Sequence, residues 1–225
     1  MSPPCRMACS RRRCLDPVAP LADPVLRLNL TGHSRGGQAI LGPLSLTLAP
    51  QETLALIGPS GIGKTTILRL IAGLEPAQGV VQVTGRLAMV FQEPTLLPWR
   101  TARQNLCLAT GIAAAEADTL LAEVGLAGLA TRFPGQLSLG QQRRLSLARA
   151  FAARPALLLM DEPFVSLDPD LADEMMAVFT RLRATRPLAT LLVTHVEAEA
   201  RRLASRIIRL GGSPAVITDD QQIGG

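Results

Sequence analysis

The stretch Gly58-Pro59-Ser60-Gly61-Ile62-Gly63-Lys64-Thr65-Thr66 holds the only lysine among 23 basic residues; every other one is arginine. Its glycines let successive backbone N–H groups turn toward one point, which suits an array of phosphate oxygens. The chain then enters a helix, whose N-terminus adds partial positive charge. A compact ammonium on a flexible stem fits between phosphates, whereas a planar guanidinium is wider and seeks a bidentate partner. The spacing therefore predicts a phosphate loop in which Lys64 reaches the β- and γ-phosphates and Thr65 ligates Mg²⁺. Thr66 supports the α-phosphate, and Ser60, Gly61 and Gly63 donate from the backbone.

A second constellation follows about a hundred residues on. The run Ala156-Leu157-Leu158-Leu159-Met160 ends in Asp161-Glu162-Pro163. Asp161, at a strand end beside the loop, suits Mg²⁺ held through water. Glu162 suits a general base that polarises an attacking water. Ahead of these residues, Gln136-Leu137-Ser138-Leu139-Gly140-Gln141-Gln142 opens another helix. Ser138 is a good N-cap, so this helix also aims its dipole at an anion. The phosphate loop cannot use both helix ends in one subunit. The economical arrangement is a head-to-tail dimer in which this helix meets the partner's γ-phosphate.

The elements that must position these groups are legible in the apolar pattern. Val25 to Leu48 alternates like an antiparallel hairpin around a turn at residues 32–37. Thr53 to Ile57 is a short strand feeding the loop, Thr66 to Ala72 has helical spacing, and Gly73 is placed to stop it. Strands are expected at Val80–Val83 and Leu87–Phe91. A block from Glu93 to about Phe133, rich in Ala, Leu and Gly, has helical periodicity. Strand and helix then alternate: Ala156–Met160, Leu171–Ala184, Ala189–Thr194, Glu197–Ala204 and Ile207–Leu210. Such alternation argues an α/β sheet covered by helices. From Gly211 onward the text reads as turn.

Taken in order, GPSGIGKTT, Phe91-Gln92, LSLGQQ, LLLMDEP, Ser166-Leu167-Asp168 and Thr194-His195 resemble the ATP-binding subunits of ABC transporters, from about Val25 to Leu210. The resemblance implies a P-loop NTPase core: a RecA-like mixed sheet with an N-terminal antiparallel β subdomain and an inserted α-helical subdomain at about 93–150. The ATPase domain would span 25–212, between a basic tail at 1–24 and a C-terminal tail at 213–225. Gln92 takes the role of a sensor of Mg²⁺ and the attacking water. Ser138, Gly140 and Gln141 act across the dimer, Asp168 couples the two sites, and His195 contacts the γ-phosphate. The pattern departs at Leu139, where the family usually has glycine, and at Gln51, which replaces the glycine of a turn. The aromatic that normally stacks on adenine is missing, and His33 is the nearest candidate for that place.

The stretch Leu96-Leu97-Pro98-Trp99-Arg100-Thr101 to Leu106 is similar to importer ATPases of the nitrate, sulfonate and taurine group. That resemblance implies a small anionic solute, permease subunits, a solute-binding protein, and a place on the cytoplasmic face of the inner membrane. Trp99 then either packs against the permease or anchors the helical subdomain. Two rivals fit less well. A soluble ABC ATPase of DNA repair needs coiled-coil arms that this length does not hold, and a small-molecule kinase would lack LSLGQ.

Bulk properties agree. Net charge is +5 with pI near 9.8, yet the arginines are scattered, aromatic residues are few, and no nucleic-acid recognition motif is visible. No apolar run reaches the roughly 18–20 residues of a membrane span. The start, with Arg11-Arg12-Arg13 and Cys5, Cys9 and Cys14, lacks a signal-peptide core and any zinc spacing. It is expected to be a disordered tail, with a mis-assigned start codon or a contact with anionic lipid as alternatives.

Overall fold

The computed structural model describes residues 23–223, so the expected N-terminal tail and its three cysteines lie almost wholly outside the described residues. Six strands form the central sheet: β4 (Thr53–Ile57), β6 (Leu87–Val90), β7 (Leu157–Asp161), β8 (Ala189–Thr194), β9 (Arg206–Gly211) and β10 (Val216–Gln222). Their order is β10-β9-β4-β8-β7-β6, parallel except for the antiparallel β10–β9 pair. Every residue of β4, β7 and β8 is buried. That is the condition of a parallel sheet covered on both faces, and it explains their unbroken apolar runs.

Strand periodicity divides those runs between different cores. Leu54 and Leu56 of β4, and Leu157 and Leu159 of β7, join the apolar face of an antiparallel sheet. That sheet comprises β1 (Leu26–Arg35), β2 (Gln38–Leu41), β3 (Leu44–Leu48) and β5 (Gln78–Val83). In β1, Leu26, Leu28 and Leu30 point inward while their neighbours are exposed. The helix α1 (Lys64–Ile71) completes this layer through Ile67, Leu68, Leu70 and Ile71.

On the other face, Leu158, Met160 and Leu192 meet a helical layer of α2 (Ala102–Thr110), α3 (Ala114–Glu123), α4 (Leu139–Ala152) and α5 (Pro169–Ala184). Phe151 and Phe179 pack edge to face in it, 6.2 Å between centroids. A third small core joins Ala55 and Ile57 to Ala200 and Ala204 at α6 (Glu197–Leu203). The mixed sheet, the antiparallel β layer and the inserted helices agree with the α/β architecture that the resemblance implied.

Three expectations are corrected. The segment after Gly211 carries β10 instead of ending as a tail. It pairs with β9 from Val216↔Gly211 to Gln222↔Arg206, and Arg206 grips Asp220 with two bonds of 2.7 and 2.6 Å. The Gly211–Pro214 turn is therefore a hairpin connection. The first helix starts at Lys64, two residues before the expected Thr66, so the phosphate loop flows directly into it. The block from 93 to 133 is helical only over α2 and α3. Among the described residues no helix is long and apolar enough to cross a membrane.

Candidate functional site

The loop between β4 and α1 is shaped by glycine where side chains are forbidden. Gly63 has φ 109°, and a Cβ there would sit 2.7 Å from Leu41 Cδ2, so both backbone angle and space demand glycine. Next to it, Lys64 is only 4% exposed. Its Nζ donates to the carbonyls of Gly58 (2.8 Å) and Pro59 (3.0 Å) and lies 3.7 Å from Glu162 Oε1. Burial pushes this ammonium below its ordinary range, and Glu162 and Asp161 oppose that shift.

The carboxylates arrive from the end of β7. Asp161 is buried and accepts a 3.0 Å hydrogen bond from Thr65 Oγ1. Burial pushes its carboxyl upward, and the Thr65 bond works against that. Two hard oxygens thus converge from separate elements. They suit Mg²⁺, which takes one or two protein oxygens and completes its octahedron with phosphate and water.

Glu162 adopts φ 46°, in the left-handed region, where a non-glycine residue carries strain. Its N–H donates to Val193 O at 2.9 Å, which pins the strained residue to the end of β8. The side chain then points between Lys64 and His195, whose Nδ1 is 3.3 Å from Oε1. Lys64 and His195 therefore meet at one carboxylate, that of Glu162.

A cleft of about 370 Å³ is lined by Ser60, Gly61, Gly63, Lys64, Thr65, Thr66, Gln92 and Glu162, with Arg35 and Ile40 at its rim. The structure brings these predicted residues together, Gln92 as an exposed side chain. It does not bring Ser138, Gly140, Gln141 or Asp168 into the same cleft. Ser138 caps α4: its Oγ accepts from Gln141 N (3.2 Å), and Gln141 Oε1 accepts from Ser138 N (2.9 Å). Leu139 is half exposed beside it, while Gly140 packs so that a Cβ would meet Leu171 at 2.9 Å. Asp168 caps α5 by accepting from Leu171 N at 2.9 Å.

His33 is a correction. It is 8% exposed, with Nε2 3.3 Å from Glu75 Oε2, and it is not among the cleft residues. A register irregularity between Leu30 and Gly32, and a bulge at His33/Ser34, turn the imidazole inward, away from the cleft residues. Arg35 stands at the rim instead, 58% exposed, its Nη2 donating to Glu75 Oε1 at 2.7 Å. Neither Arg35 nor Ile40 was singled out from sequence. The alternation of β1 does not reveal Arg35, because the irregularities lie just before it, and Ile40 is the residue of β2 left unpaired between the His33↔Leu41 and Ser34↔Ala39 pairs.

Comparisons with known proteins agree with this geometry. A family profile described as ABC transporter matches residues 41–165. The aliphatic sulfonates import ATP-binding protein SsuB 1 of Pseudomonas fluorescens is 48% identical over 77% of this chain and 68% of the relative. That of Rhodococcus jostii is 43% identical, over 80% and 76%. In Granulibacter bethesdensis an SsuB is 45% identical, over 83% and 80%. Among solved structures, a dimeric post-hydrolysis state of the ATP-binding cassette MJ0796 bound to ADP and Pi superposes with TM-score 0.76. It shares 25% identity and covers 89% of this chain and 99% of that one. With its phosphate loop, strand-end acid pair and matched fold, the chain belongs to the ABC transporter family as an ATP-binding subunit that hydrolyses ATP with Mg²⁺.

Proposed function

We propose that this chain energises import of a small organic anion of the alkanesulfonate class. Two copies, or one copy and a paired ATPase subunit, close head to tail on two ATP molecules at the cytoplasmic face of the inner membrane. The observation that carries the reading is the meeting of Lys64, Glu162 and His195 beside the Thr65–Asp161 pair. The sulfonate assignment rests on the relatives' names.

In this reading Lys64 leaves the Gly58 and Pro59 carbonyls for the β- and γ-phosphate oxygens. Ser60, Gly61 and Gly63 offer backbone donors. Thr65 and Asp161 would hold Mg²⁺, which supplies charge neutralisation to the phosphates. Glu162 Oε1 takes a proton from the attacking water, and Gln92 orients that water. His195 holds Glu162 from the far side and meets the γ-phosphate. Ser138, Gly140 and Gln141 contribute the amide end of α4 to the partner's nucleotide, and Asp168 links the two sites.

The cleft is lined by Lys64, Gln92 and Glu162 together with Arg35 and Ile40. In this reading the adenine base lies toward Arg35. The Arg35 guanidinium, steadied by Glu75, is there to lie against its face.

Permease subunits and a solute-binding protein complete the system. The test is co-purification of the chain with a permease, followed by ATPase assays with binding protein and a panel of anions. Stimulation by an alkanesulfonate supports the reading. Stimulation by duplex DNA, or phosphoryl transfer to a metabolite, would replace it.

A further inference from the structure

Glu199 is a buried carboxyl that the mechanism above leaves without a task. It sits in the first turn of α6, 7% exposed, and forms no ion pair with any described residue. Burying a carboxyl without a cation is costly unless its hydrogen bonds compensate. Its one hydrogen-bonding partner among the described residues is the fully buried Thr194, whose Oγ1 donates to Glu199 Oε2 at 2.6 Å. The same hydroxyl accepts from Val196 N at 3.0 Å. His195 lies between the two residues so joined. Val196, the N-cap of α6, offers no side-chain cap of its own.

The consequence is directional. With its proton committed to Glu199, the Thr194 hydroxyl turns a lone pair to the Val196 amide and closes a tight turn around His195. Burial pushes the Glu199 carboxyl above its ordinary range, and the Thr194 hydrogen bond and the nearby His195 oppose that shift. Glu162 is fastened to the same strand end through its N–H to Val193 O. The 3.3 Å separation of His195 Nδ1 and Glu162 Oε1 is therefore set at the exit of β8.

We infer that Glu199 is a positioning residue for ATP hydrolysis: through the Thr194 hydroxyl it holds the turn that presents His195 to Glu162 and the γ-phosphate. This rests on the role given to His195 above. A displacement of about 1 Å at a reacting group can cost a hundredfold in rate, so loss of the relay should lower kcat and leave ATP binding alone.

The full-length chain is assayed as wild type, Glu199→Ala, Thr194→Val, the double variant, and the conservative Glu199→Gln and Thr194→Ser. Glu199→Ala and Thr194→Val should each lower kcat about tenfold or more, with KM and Kd for ATP within twofold. The double variant should be no worse than either single change, because both remove one relay. Glu199→Gln and Thr194→Ser keep an acceptor and a hydroxyl, and should stay within about threefold of wild type. Amide exchange at Val196 should accelerate in the alanine and valine variants. If Glu199→Ala proves unstable, the near-isosteric Thr194→Val carries the same test. Multiplying effects in the double variant, wild-type kcat in Thr194→Val, or loss of ATP affinity equal to the loss of kcat overturns the inference. His195→Ala separates the two claims. If it retains turnover while Val196 exchange still responds to Glu199, the histidine's role fails and the positioning role of Glu199 in hydrolysis fails with it, leaving only the hydrogen-bonded turn.

Discussion

Replacing Lys64 tests whether this cradle selects an ammonium by shape as well as charge. Its Nζ is enclosed by two carbonyls at 2.8 and 3.0 Å, and the side chain is 4% exposed. A guanidinium is wider than the space an ammonium occupies there and must swing into the volume meant for phosphate. Each charge-assisted hydrogen bond to phosphate is worth roughly 1.5–3 kcal/mol. One such bond lost weakens Kd by about 10- to 150-fold, and two lost bonds by more. Lys64→Arg keeps the charge yet should lose nearly as much ATP affinity as the neutral Lys64→Met, about 100-fold for both. Calorimetric titration of Mg·ATP into the full-length variants at fixed ionic strength measures this. Thermal unfolding without nucleotide confirms that each is folded. Arginine binding within twofold of wild type, with methionine weak, would falsify the shape argument and leave charge as the only requirement.

Other outcomes follow from the same geometry. Arg35→Ala should weaken ATP about fivefold, the worth of one cation–π contact at an exposed site, and leave inorganic triphosphate binding unchanged; equal losses would make Arg35 a phosphate ligand. Gln51 sits at φ 62° with its side chain exposed. Gln51→Gly should therefore stabilise by roughly 0.5–1 kcal/mol, about 2 °C in Tm, and no rise in Tm would show that the angle costs nothing. Bonds from Arg209 and Arg201 hold the Glu197 carboxyl at about 2. A depressed carboxylate stabilises the fold above its ordinary range near pH 4.5 and loses that contribution as pH falls toward 2. Unfolding midpoints followed from pH 6 to 2 should fall less steeply in Glu197→Gln than in wild type.

What could be read from sequence follows from how each element is stabilised. β4, β7 and β8 are buried on both faces, so their apolar runs are unmistakable, and β8 spans the expected residues. Ser138 was legible as a cap because its side chain does local work. β10 was not, since Thr218, Asp219, Asp220, Gln221 and Gln222 carry no apolar alternation. It is an edge strand held by backbone pairing and by the Arg206–Asp220 ion pair, and neither leaves a periodic signature. His33 failed for a different reason: residues 32–37 read as a turn, whereas β1 runs on to Arg35 and only Gly36 and Gly37 turn. Counting in twos from Leu26 turns it outward, and one irregularity beside Gly32 reverses the face. The Thr194–Glu199 link joins residues five apart across a strand–helix boundary, where neither strand nor helix spacing applies.

The central claim is that Glu162 is the base of an ATP-driven, dimer-closing hydrolase. Glu162→Gln keeps the size and the backbone bond to Val193 while removing the proton acceptor. The decisive measurement is its ATP turnover beside its mass in solution with Mg·ATP, taken by light scattering. The account predicts turnover reduced about 10²- to 10⁴-fold, with ATP still bound and the protein held as a dimer. Turnover close to wild type in a protein that stays monomeric with ATP bound would contradict it.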